Sequence, residues 1–137
     1  MNRIYKITAV LTVCLLAACA TRPTEQEMNY LASALTKVSA AVDATVRYRR
    51  PADGLAEAEL LRFSTTHDPA LMKPFDGLTV RVLRDGQDTA VLVCEPQAGR
   101  ALLEDAGCTA KLDQHRWKSG VTDRCEFTIN LKQVCAR

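Results

Sequence analysis

An α+β domain, with N-terminal helices packed on a small, largely antiparallel four-stranded sheet stapled by disulfides, is predicted by three observations. The apolar period is three to four from residue 24 to 50 and drops to two beyond Leu78. The pair Asp85-Gly86 sits between two alternating runs, which is a strong hairpin signal. Four cysteines crowd into the last 44 residues, where they can cross-link a small sheet. Helices first and strands later is the order of an α+β chain, and 137 residues supply one such domain.

Thr24-Glu25-Gln26-Glu27 has the form of a capping box, so a helix starts there. Met28, Leu31, Leu35, Val38, Val42 and Val46 then recur at steps of three and four. They form one apolar stripe suited to packing on the protein's own sheet or, as the lesser reading, on a partner helix. Arg47, Arg49 and Arg50 fall in the last turn, where cations suit the helix dipole, and Pro51 ends the helix. The spacing predicts a span of about Thr24 to Arg49, with the basic cluster a solvated helix end. Asp53 is a candidate cap for a second helix over Leu55 to Ser64, and Asp68-Pro69 is the cap and first residue of one further turn through Met72. His67 beside Asp68 lacks a nucleophile at any fixed spacing and is read as a surface histidine.

Leu78, Val80 and Val82 alternate with Thr79 and Arg81 as a first strand. Thr89 to Cys94, apolar on both faces, is a central one. Gln97 to Ala106 is expected to be a helix that stops at Gly107 in a left-handed cap, with Glu104 and Asp105 a solvated pair at its end. Cys108 to Asp113 and Cys125 to Leu131 alternate as third and fourth strands, and the latter sets Cys125, Phe127, Ile129 and Leu131 on one face. Gln114 to Arg124 is the polar connection. Within it His115, Arg116 and Trp117 are candidate partner contacts, although an indole folded over the core is the favoured reading.

Arg3 and Lys6 precede an apolar run, Ile7 to Ala18, of 12 residues, short of the roughly 20 that cross a bilayer and suited to a signal peptide. The run ends in Leu16-Ala17-Ala18-Cys19, which resembles the lipobox of bacterial lipoproteins. The resemblance implies cleavage before Cys19 and acylation of its sulfur, and with Ala20 rather than Asp in the next position it implies an outer-membrane destination facing the periplasm. On this reading residues 1–18 are a lipoprotein signal peptide, 19–23 a lipidated tether and 24–137 a single periplasmic domain, with membrane lipid its first partner through Cys19.

Of six cysteines, Cys14 then leaves with the signal and Cys19 is blocked. Cys94, Cys108, Cys125 and Cys135 remain, an even set read as two disulfides in an oxidising compartment. Locality favours Cys94 with Cys108 and Cys125 with Cys135, because a helix between the first two would return the chain.

The formal charge of +2 falls to balance once Arg3 and Lys6 are removed, so no nucleic-acid partner is announced. No nucleotide-binding, metal-hydrolase or serine-hydrolase motif is present, and no cofactor or metal is expected. A non-enzymatic interaction or assembly module of a cell-envelope complex, in the manner of a pilotin or secretion accessory, is the expected function. The alternative is a binder or inhibitor of a soluble envelope enzyme or glycan.

Overall fold

Thr24 caps the first helix as its capping box predicts. The computed structural model describes residues 23–113 and 124–136. In α1 (Glu25–Ala44) the Thr24 side chain accepts from the Glu27 N–H at 3.2 Å, while the Glu27 carboxylate accepts from the Thr24 N–H at 2.7 Å. The stripe residues Met28, Leu31, Leu35, Val38, Val42 and Val46 are all buried, so α1 packs at home on the sheet. The α-helix is shorter than its sequence span. Thr45–Arg49 widens into a π-turn, and Arg50, barred from helical conformation by Pro51, takes φ 48°.

Helix α2 (Glu57–Thr65) begins later than expected, and Asp53 does not cap it. Gly54, at φ +90°, turns the chain between the two, and Asp53 reaches Arg84 instead at 2.8 Å. A 3₁₀ segment, Pro69–Phe75, follows its cap Asp68, whose side chain accepts from the Ala70 N–H, and it runs one turn beyond Met72 to bury Phe75.

Four strands form an antiparallel sheet in sequential order: β1 (Thr79–Asp85), β2 (Asp88–Cys94), β3 (Ala101–Ala106) and β4 (Leu112–Asp113). Gly86, at φ +63°, holds the first central position of the β1–β2 turn, as a type II′ hairpin requires. The third strand is not where the residue preferences put it. Ala101 to Ala106, written in helix formers, is a strand and not a helix, because β2 is apolar on both faces and buries itself only with a neighbour on each edge. A tight connection makes that possible. Gln97 and Ala98 adopt φ 58° and 57°, the Glu95 N–H donates to the Arg100 carbonyl at 2.9 Å, and the Ala98 N–H donates to Thr79 Oγ1 at 2.9 Å. A bulge at Leu102 shifts the register, with Val93 opposite Leu103 but Cys94 opposite Ala101.

With β3 running back along β2, Cys94 and Cys108 lie at opposite ends of the sheet, and the local pairing is impossible. The disulfides are Cys94–Cys125 and Cys108–Cys135. Residues 125–130 are extended but join no strand; they lie across the sheet and end in a short turn of helix, α3 (Leu131–Val134), capped by Asn130. Their alternation is nevertheless used. Cys125 and Leu131 are buried, and Phe127 and Ile129 half-buried, against the sheet face that α1 leaves open. The sheet is therefore covered on both sides. Val82, Val91, Val93 and Leu103 meet α1 and α2, while Ala90, Leu92, Cys94 and Ala106 meet the C-terminal segment.

Candidate interaction site

Arg49 follows Val42 by seven residues, where an uninterrupted α-helix would return it to the buried stripe. The π-turn displaces it. Val46 stays buried, while Tyr48 (84% exposed), Arg49 and Arg50 turn out to solvent. Arg47 is held inward, its Nε 2.7 Å from Asp43 and its Nη2 3.2 Å from Asp88, so the turn is tied to the start of β2. The hydrogen bond it donates to Asp43 holds its guanidinium above the ordinary range.

Of the outward residues, Arg49 meets α2. The Arg49 guanidinium lies 5.4 Å from the centre of the Phe63 ring, a cation–π contact of about 0.5–1 kcal/mol at an exposed site. Phe63 is 42% exposed, and Arg50 and Arg62, the chain neighbours of the two contact residues, are exposed as well. One guanidinium–aromatic contact thus joins the end of the first helix to α2, with an exposed arginine next to each of its members in the chain. Tyr, Phe and Arg are the side chains that dominate protein interfaces, because each offers large area at low entropy cost.

Beside this patch runs a cleft of ≈ 500 Å³ between Asp43, Arg47 and Tyr48 on one wall and Val134 and Cys135 on the other, with Gly107 between. Gly107 does not cap a helix in the left-handed region as its sequence context suggested. A Cβ there would stand 2.6 Å from Asp43 Cβ and 2.9 Å from Thr89 Oγ1, so its role is to let α1 approach the end of β3.

Glu104 and Asp105 are not a solvated pair either; both are buried, and as neighbours on a strand they point to opposite faces. Glu104 accepts from the Thr128 N–H at 3.0 Å and from the Thr128 hydroxyl, fastening the C-terminal segment to the sheet. Asp105 faces α1. Its carbonyl accepts from Ser39 Oγ at 3.4 Å, its Oδ1 is buried without a partner, and burial pushes its carboxyl up to about 6, opposed by Ser39. Two carboxyls on opposite faces cannot work on one substrate.

Cys19, His115, Arg116 and Trp117 lie outside the described residues. The four cysteines read as disulfide partners are brought together, in crossed pairs, and His67 is exposed in the turn after α2. Among the described residues no group of three His, Cys, Asp or Glu is placed to hold a metal, and no helix is long and apolar enough to cross a membrane. Sequence reading named Arg47, Arg49 and Arg50 as a solvated helix end but missed Phe63. A contact between residues 14 positions apart on two helices leaves no periodic signal. Compared with family models, curated proteins and solved structures, the chain has no match.

Proposed function

We propose that the chain is a lipoprotein of the bacterial envelope, anchored in the outer membrane through acylated Cys19, whose periplasm-facing domain is a non-enzymatic interaction module that docks on or helps assemble an envelope complex. The observation that carries this reading is the exposed patch of Tyr48, Arg49 and Phe63 at the end of α1 remote from residue 23. A helix of 20 residues is about 30 Å long, so a chain tethered at Cys19 holds this patch well away from its anchor. Two disulfides fit the oxidising compartment that the reading requires.

Two measurements on the full chain test it. Labelling with an alkyne fatty acid is expected to mark the wild type and not Cys19→Ser; an equally labelled variant overturns the anchor. A photoactivatable phenylalanine analogue in place of Tyr48 is expected to give discrete crosslinks to an envelope protein, whereas the same probe at Lys37 gives none. Identical patterns from both positions overturn the site.

A further inference from the structure

We infer that the surface around the Arg49–Phe63 contact receives an acidic segment of a partner protein, whose carboxylates engage Arg49 and its exposed neighbours Arg50 and Arg62 while an apolar or aromatic side chain lies against Phe63. The inference rests on the reading of the domain as an interaction module and names the partner's chemistry. Its basis is how this molecule treats its arginines. Eight lie among the described residues, and five are set against a carboxylate: Arg47 on Asp43 and Asp88, Arg81 on Glu57, Arg84 on Asp53, Arg100 on Glu95, and Arg124 near Glu126. The three left without an acidic partner within the described residues are Arg49, Arg50 and Arg62. All three fall within one residue of a single contact, that of Arg49 on Phe63.

Three exposed cations without an acidic partner among the described residues leave uncompensated positive charge on either side of this contact, which attracts an incoming anion. A planar guanidinium donates two parallel hydrogen bonds to a carboxylate, and Arg49 is already oriented by its stacking on Phe63. The nearest acid on α2, Glu59, is one turn before Phe63 and bonds to none of the three. A membrane surface is the poorer partner. If α1 rises from its tethered end, its 20 residues carry the patch about 30 Å from the membrane, beyond the Debye length of about 8 Å at physiological salt.

The test uses full-length protein in neutral detergent and a fluorescein-labelled peptide in which one tryptophan is flanked by three glutamates on each side. Saturable binding is expected. It should weaken about tenfold in the double variant Arg49→Glu, Arg50→Glu, weaken with added salt, and be unchanged by Lys37→Glu, a charge reversal elsewhere on α1. Circular dichroism of the double variant is expected to match the wild type, because both side chains are exposed. If that variant unfolds, Arg62→Glu supplies the same readout from α2.

No binding, or equal binding by wild type and charge-reversed protein, overturns the inference. So does displacement of the peptide on adding phosphatidylglycerol to the micelles, which would assign the patch to a lipid surface. Fatty-acid labelling of Cys19 in the same preparation fails separately. An unlabelled chain that binds the peptide through these arginines loses the anchor but keeps the partner, and a labelled chain indifferent to the peptide keeps the anchor and loses the partner.

Discussion

Asp105 is a carboxyl held in the wrong environment for its charge. Burial against α1 raises it to about 6 in the folded protein, while the unfolded chain titrates near the ordinary 3.8. The folded state therefore binds the extra proton between those values. Its destabilising effect is fully present above about pH 6 and fades as the pH falls towards 4. Asp105→Asn should be more stable than wild type at pH 7 and lose that advantage at pH 4, as denaturant titrations of both proteins at the two pH values would register. An advantage independent of pH would mean that folding leaves the Asp105 carboxyl unshifted. At Gly107 the argument is steric. A methyl group there meets Asp43 Cβ at 2.6 Å, a clash with an atom fixed to the helix backbone rather than with a flexible tip. Gly107→Ala should cost about 1–3 kcal/mol by overpacking, measured by thermal or chemical unfolding, and Asp43→Ala should leave that cost in place because Cβ remains.

Between elements, the C-terminal segment depends on its cross-links. Residues 124–136 contribute one short helical turn and no ladder to the sheet, so their attachment rests on the packing of Phe127, Ile129 and Leu131, on two disulfides, on Glu104 accepting from Thr128, and on Arg81 Nη1 donating to the Cys125 carbonyl at 3.0 Å. Bridges spanning 31 and 27 residues each remove about 3–4 kcal/mol of unfolded-state freedom. Replacing Cys94 and Cys125 together by Ala should lower stability by about that amount, read from the denaturation midpoint, and should speed amide exchange beneath the segment at Leu92 before α1 is affected. These elements were unevenly legible in the sequence. Helix α1 announced itself because its cap, stripe and stop are all local, and the first hairpin because one glycine settles its turn. β3 did not, because Ala101 to Ala106 is dictated by the needs of β2 rather than by its own preferences. The alternation from Cys125 to Leu131 named the buried face correctly. It could not say whether the segment pairs within a sheet or lies over one, since both bury every second residue. For the candidate site, the arginines were visible and the contact of Arg49 with Phe63 was not.

As a whole molecule the domain is a sheet between two unlike covers, one of helix held by apolar packing and one of extended chain held by sulfur. Among the four cysteines from Cys94 onward the two bridges join first to third and second to fourth, so their loops overlap and neither cysteine pair is contiguous. That ordering bears on how the native state is reached from the reduced polypeptide. Cys125 and Cys135 lie 10 residues apart and Cys94 and Cys108 14, against 31 and 27 in the native pairs, and in an unstructured chain the shorter loops close more readily. Oxidation ahead of folding thus favours these local bonds, of which Cys94–Cys108 must be broken again before β3 can lie alongside β2. Reduced protein exposed to a strong oxidant without free thiol should accumulate this species, identifiable by peptide mapping, whereas a thiol–disulfide buffer should convert it to the native pairs over minutes to hours. The crossed pairing makes correct oxidation a late event that reports on completed folding: a molecule with both native bridges has already formed its third strand.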